Sequence, residues 1–183
     1  APPLNKQRYI GYISSYPEGV RENGGQYTHA AIWYLFALLQ LGKQDEAFEL
    51  FQMINPIEKN RNAFWSSKYL GEPYVLSGDV YAGKDNAGRM GWSWYTGSAA
   101  WAYRLLVEGF LGLKRKGEEL VIDPSLPNAL NNAIVNYKYK DAKYTITYKK
   151  ANAYKLYFDG IEISKGKRIP LHAIKGAEII CEC

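Results

Sequence analysis

A chain of 183 residues is long enough for one ordinary domain or two small ones, each with its own core. Hydrophobic residues make up 47% and charged residues 22%, which excludes a disordered or collagen-like chain. The net charge of +5 raises nucleic acid or an anionic membrane as partners, but its distribution argues against both.

Residues 1–112 hold ten Lys/Arg against ten Asp/Glu, and residues 113–183 hold thirteen against eight, so the second part carries the whole excess. Its lysines (Lys138, Lys140, Lys143, Lys149, Lys155, Lys165) are scattered, as on solvated strand faces, and no nucleic-acid motif accompanies them. Aromatics divide at the same point: residues 1–112 hold all five Trp and 20 of the 27 aromatics. No apolar run is long enough to span a bilayer and no leader opens the chain, so it reads as soluble.

Ala1 to Asn5 reads as loop, Tyr9 to Ile13 as short and β-prone, and Tyr16-Pro17-Glu18-Gly19 as a turn. Next comes Arg21-Glu22-Asn23-Gly24-Gly25-Gln26-Tyr27-Thr28-His29, which gathers a cation, a carboxylate, amides, a hydroxyl and one of two histidines. An apolar run follows at once. Polar groups collected where a buried helix begins need partners, and that points to a site.

The first helix is predicted from about Gln26 to Leu41, ending at Gly42, with apolar residues all round and therefore burial on nearly every side. A second, amphipathic helix is predicted from Gln44 to about Ile54, with Ala47, Leu50, Phe51 and Ile54 as its stripe. An inner helix followed by an outer one is the alternation that stacked or toroidal α/α architectures require.

Residues 55–91, punctuated by Gly and Pro, read as a long irregular connection of the kind that carries function. Within it, Pro73 to Tyr81 is compatible with a short helical or extended piece. A third helix is predicted from Thr96-Gly97-Ser98 to Gly112.

Beyond residue 113 the hydrophobic period changes from 3.6 to 2. Strands are predicted at Glu119–Ile122, Ala133–Lys140, Ala142–Lys150, Tyr154–Asp159, Ile161–Ile163, Arg168–Leu171 and Ala177–Cys183, with hairpin turns at Lys140-Asp141 and Asp159-Gly160. Such a segment is a β-sandwich or a sheet packed on helices. Cys181 and Cys183 share one face of the last strand, as a metal pair or as an apolar strand end, and two cysteines suit a reducing compartment.

Thr96-Gly97-Ser98 stands where helix N–H groups lack partners and the dipole leaves positive potential, which suits phosphate. The alternative is that Thr96 or Ser98 is simply an N-cap. His29 is a donor to a bound anion or a hydrogen-bonded core histidine. Arg21 and Glu22 either pair with each other or meet sugar hydroxyls, and nearby Tyr and Trp rings offer flat faces for a pyranose. A glycoside-cleaving site needs a placed general acid. Glu18, Glu22, Glu72 and Asp79 are the candidates, and none has a compelling partner in the sequence. There is no Ser/His/Asp arrangement, phosphate loop, dinucleotide motif or metal-ligand cluster.

Three ordered motifs carry a resemblance: residues 16–31 from Tyr-Pro-Glu-Gly to Thr-His-Ala-Ala, Glu72-Pro73-Tyr74-Val75 with Gly78-Asp79-Val80-Tyr81, and Gly88-Arg89-Met90-Gly91-Trp92-Ser93-Trp94-Tyr95-Thr96-Gly97-Ser98-Ala99. Together they resemble the C-terminal end of the family 94 glycoside phosphorylases. The Gly-Gly-Gln variant is most similar to the cyclic β-1,2-glucan synthase and 1,2-β-oligoglucan phosphorylase branch. The resemblance implies the last helices of an (α/α)6 barrel in residues 1–112, followed by a small antiparallel β-sheet or sandwich domain in residues 113–183.

The implied activity is inverting cleavage of a β-glucosidic bond by inorganic phosphate, a co-substrate rather than a cofactor, to give α-glucose 1-phosphate. By resemblance His29, Thr96 and Gly97 bind phosphate, while Tyr16, Arg21, Glu22 and Gln26 face the acceptor sugar; Arg21 stands where some cellobiose-specific members have a lysine. The implied partners are a β-glucan oligosaccharide, phosphate or glucose 1-phosphate, and the rest of the catalytic domain, with homo-oligomerisation a further expectation. The implied location is the cytoplasm, or the cytoplasmic side of a membrane-bound synthase. The family's general acid lies in a Trp-Asn-Asp motif that these residues do not contain. The chain is therefore expected to be a C-terminal fragment, inactive alone, and no catalytic residue is assigned. A non-catalytic carbohydrate-binding or structural module of a glucan synthase is the alternative.

Overall fold

A computed structural model describes residues 3–4, 10–163 and 166–183. The expected opening loop and the start of the β-prone stretch lie largely outside these. The chain divides into two compact units: Ala1–Leu41 with Glu46–Leu105, and Gly42–Asp45 with Leu106–Cys183.

In the first unit, Val20 N–H closes the turn at Tyr16-Pro17-Glu18-Gly19 on the Pro17 carbonyl. Gln26–Tyr27 forms strand β1 and helix α1 runs Thr28–Gln40. The helix starts two residues later than the sequence predicts. Gln26 and Tyr27 pair with the distant Val80 and Asp79, and this long-range ladder outcompetes a helical start.

The expectation of burial all round α1 is overturned. Ile32, Leu35, Leu38 and Leu39 are buried, but Trp33 is 53% and Tyr34 55% exposed. The elements of this unit cover one side of the helix, chiefly through α5 (Thr96–Arg104).

Helix α2 (Gln44–Ile54) follows the amphipathic pattern, with Ala47, Phe51 and Ile54 buried. The segment expected to be irregular holds regular structure. Helix α3 (Pro56–Lys59) is capped by Asn55, and α4 (Ala63–Tyr69) by Asn62, whose side chain accepts from the Trp65 N–H. Leu70 ends α4 in the left-handed region. Helix α4 is hard to read from sequence because Asn62 is its only cap signal and seven residues show little periodicity. Strands β2 (Asp79–Val80) and β3 (Met90–Gly91) complete an antiparallel sheet in the order β1-β2-β3.

Helix α5 continues as a π-helical turn, Leu105–Phe110, before the chain reverses at Gly112 (φ +68°). Among the described residues the second unit then builds eight strands, one more than predicted: β4 (Leu113–Lys116), β5 (Glu119–Ile122), β6 (Ile134–Tyr139), β7 (Ala142–Lys149), β8 (Lys155–Phe158), β9 (Ile161–Glu162), β10 (Arg168–Pro170) and β11 (Ala177–Glu182). The missed strand, Leu-Lys-Arg-Lys, has one apolar residue and no alternation to read.

Two sheets form, β10-β5-β4 and β6-β7-β11-β8-β9. One core unites them: Leu113, Leu120, Ile122 and Ile169 from the first with Tyr144, Ile146, Tyr148, Leu156, Ile179 and Cys181 from the second. Cys181 is thus a core residue at a strand end, with Cys183 packed beside it. Buried Tyr144 and Tyr148 and half-buried Tyr154 keep their hydroxyls satisfied on main-chain groups, Tyr148 on Leu111, Tyr154 on Ile122 and Tyr144 on His172. The sheet is mixed rather than antiparallel as expected, because β11 runs parallel to β7 while β8 pairs antiparallel on its other side. Strand alternation fixes faces but carries no information on partner direction.

Candidate functional site

The site is built where two helices begin. The segment Leu76-Ser77-Gly78 ties both N-termini together. Thr28 N–H donates to the Gly78 carbonyl at 3.0 Å, and the Thr28 and Ser77 hydroxyls lie 3.1 Å apart. Tyr95 N–H donates to the Leu76 carbonyl, while Ser98 Oγ stands 2.8 Å from the Ser77 carbonyl and 2.9 Å from that of Tyr95. Thr28, Ser77 and Ser98 are buried, so each hydroxyl must find a partner inside, and each does. The two helix starts are therefore held in fixed relation by a segment that sequence reading left unassigned. Its signal is slight: two small residues between Leu76 and the acidic Asp79.

This geometry brings His29 and Gly97 together. A Cβ added to Gly97 would stand 3.6 Å from His29 Nδ1, so the imidazole lies beside the bare backbone of the first turn of α5. Tyr95 occupies the N-cap position without a side-chain cap bond, and Thr96 and Gly97 are the first two helical residues. Neither Thr96 nor Ser98 is the N-cap. The Ser98 hydroxyl is committed to the Ser77 and Tyr95 carbonyls, whereas Thr96 is exposed. His29 packs edge-on against Trp33 at 4.8 Å between ring centroids, with Trp101 at 5.8 Å, and its Nε2 is buried without a partner among the described residues. A helix start with backbone N–H groups, a hydroxyl and an imidazole offers the donors that an anion requires.

A second cluster gathers Tyr16, Arg21 and Trp92. The Arg21 guanidinium lies over the Trp92 ring at 3.8 Å from its centroid and reaches the Tyr16 hydroxyl at 3.4 Å. Arg21 has φ +48°, a left-handed conformation costing about 1–2 kcal/mol. Its N–H donates to Asp79 Oδ2 at 2.9 Å, which holds that conformation in place.

Asp79 is only 1% exposed, and a Cβ on Gly91 would fall 2.3 Å from its Oδ1, so glycine is required to make room. Burial, only partly opposed by the Arg21 N–H and charge, pushes the carboxyl above its ordinary value. Enclosed in this way, Asp79 anchors the Arg21 turn and offers no open face to a leaving group. Glu22 is exposed beside the same turn, and Gln26 turns toward Thr28, 3.4 Å from its hydroxyl.

An aromatic series joins the two clusters. Trp92 stands 6.1 Å from Tyr95, Tyr95 is 6.2 Å from Tyr27, and Tyr27 is 6.1 Å from His29, measured between ring centroids. The Tyr27 and Tyr95 hydroxyls are 2.8 Å apart; that bond, together with burial, pushes Tyr27 up to about 12 and keeps it protonated. Polar groups at each end with flat apolar faces between them make a surface suited to a sugar carrying an anion at one end. Among the described residues no group of three or more His, Cys, Asp or Glu could hold a metal, and no helix is long and apolar enough to cross a membrane.

Residues 1–112 match the glycosyl hydrolase 94 superfamily, catalytic domain. A cyclic beta-(1,2)-glucan synthase of Rhizobium meliloti is 48% identical over 128 residues, which cover 69% of this chain and 4% of that protein. A cellobionic acid phosphorylase of Neurospora crassa is 30% identical over 82% of the chain and 20% of its own length. A 1,2-beta-oligoglucan phosphorylase of Listeria innocua is 25% identical, covering 82% and 14%. The chain spans a fifth or less of each of these relatives.

Proposed function

The chain belongs to the glycosyl hydrolase 94 superfamily, and from that premise we propose that it is the C-terminal part of an inverting glycoside phosphorylase acting on β-glucan, with β-1,2 linkage favoured. Its helices close the end of an (α/α)6 barrel. A phosphate oxygen attacks the anomeric carbon as the glucosidic C–O bond breaks. The leaving oxygen takes a proton from an acid supplied outside this chain, and α-glucose 1-phosphate results. Because phosphate is the nucleophile, the chain's task is to hold it and the sugar; the reaction runs in the cytoplasm, including at the cytoplasmic face of a membrane-bound synthase.

The observation that carries this reading is the adjacency of His29 and Gly97 at two helix starts tied to the same segment. His29, Thr96 and the Gly97 backbone donate to phosphate; Tyr16, Arg21, Glu22 and Gln26 meet the acceptor sugar. In the full-length protein His29→Ala and Thr96→Ala are expected to raise the phosphate KM or lower kcat by about tenfold or more. Gly97→Ala meets only ordinary contacts, so it should fold normally and still weaken phosphate. Phosphate kinetics indistinguishable from wild type in all three variants would remove these assignments.

The identity to a glucan synthase over 69% of the chain supports a second reading, a non-catalytic glucan-binding or structural part of such an enzyme. Full-length protein that binds glucan but produces no glucose 1-phosphate from glucan and phosphate would select it.

A further inference from the structure

A wide-open depression of about 500 Å³ is lined by Ser66, Leu70, Gly71, Glu72, Met90 and Ser93, the last next in the chain to Trp92. Its volume falls within the range of small-ligand sites. Glu72 and Ser93, from two different loops, meet across it. The Ser93 hydroxyl donates to Glu72 Oε2 at 2.6 Å, and that bond holds the carboxylate below its ordinary value, with the Trp94 indole adding to the effect.

The neighbours of these two residues carry an open aromatic pair. Tyr74 is 73% and Trp94 67% exposed, and their rings meet edge to face at 6.0 Å. The loop that carries Trp94 is strained. Trp92 and Trp94 have φ of +51° and +59°, each costing about 1–2 kcal/mol for a residue with a Cβ. Bulky residues held in that region gather at ligand clamps. Trp92 is at the same time the ring beneath Arg21, so the loop is continuous with the aromatic wall already described.

We infer that this depression, together with the neighbouring Tyr74–Trp94 pair, is a second sugar subsite, stacking a distal glucose unit of a β-glucan chain while Glu72 accepts from its hydroxyls. A neutral polyhydroxylated ring suits it. The rings offer apolar faces that a pyranose covers, and the fixed carboxylate offers an acceptor without demanding a cation. The inference rests on the proposed glucan reading for the identity of the sugar. It makes this loop the part that separates long chains from disaccharides.

The test uses full-length protein and β-1,2-glucan oligosaccharides, from the disaccharide upward, with binding followed by calorimetry and turnover followed by glucose 1-phosphate release. Trp94→Gly removes the ring and relieves the left-handed strain, so loss of function in it is not loss of folding. Tyr74→Ala is the second variant. Both are expected to weaken binding of longer oligosaccharides by about tenfold and to leave the disaccharide within about twofold. Equal loss at every length, or wild-type affinity for the long chains, would overturn the subsite. If wild-type protein binds glucan yet releases no glucose 1-phosphate, the phosphorylase reading falls while the binding comparison still decides the subsite.

Discussion

Asp79 shows how one residue sets a local geometry. Its carboxyl is buried, accepts the Arg21 N–H and thereby fixes a left-handed turn that lays the guanidinium on Trp92. Because burial raises its pKa in the folded state, the protonated form is favoured there. Its contribution to stability is therefore fullest below the ordinary value of 3.8 and is lost as pH rises through the raised value. Asp79→Asn keeps an acceptor for the N–H and removes the titration, so its stability relative to wild type should improve from acid to neutral pH. Asp79→Ala leaves the N–H unsatisfied and should cost about 1–3 kcal/mol at acid pH, and less as pH rises and the wild type loses the contribution of the buried acid. Urea denaturation across that range checks both, and an Asn variant that tracks wild type at every pH would contradict the buried-acid account.

At the scale of elements, turns decide where helices and strands stop. Gly112 ends the π-helical turn with φ +68°, and a Cβ there would fall 2.1 Å from the carbonyl carbon of Asp123. Gly117, between β4 and β5, has φ +62° but open space around it. Gly112→Ala should thus destabilise by more than about 2 kcal/mol, and Gly117→Ala by about 1 kcal/mol, the cost of the conformation alone. Equal midpoint shifts in denaturant would show that close packing at Asp123 is unimportant. The helix starts follow a similar logic: buried hydroxyls of Thr28, Ser77 and Ser98, not surface caps, hold α1 and α5 in place.

For the whole molecule, the five tryptophans all lie in the first unit. Tryptophan emission should therefore report the unfolding of Glu46–Leu105 and its partner segment alone, while far-UV dichroism reports both units. The midpoints are expected to differ, and coincident transitions by both probes would show one cooperative unit. The first unit also exposes Trp33, Tyr34, Met53, Ile57 and Phe64. The 183-residue chain by itself is expected to self-associate, with a sedimentation coefficient that rises with concentration. A monomer at all concentrations would count against a barrel part that needs neighbours.

Some of this was written in the chain itself. The limits of α2, seven of the eight strands of the second unit and the hairpins at Lys140-Asp141 and Asp159-Gly160 were legible, because hydrophobic period and turn chemistry are local properties. The three ordered motifs were legible too, and they match the family found over residues 1–112. Tertiary structure alone decided the parallel pairing of β11 with β7, the exposed side of α1 and the strand that replaced its first turn. It also decided that His29, in one motif, lies beside Gly97, in another, with Ser77 between the helices that carry them. The physical reason is the same in each case. Burial, pairing direction and the partners of buried hydroxyls depend on residues far away in the chain, and a local pattern contains no term for them.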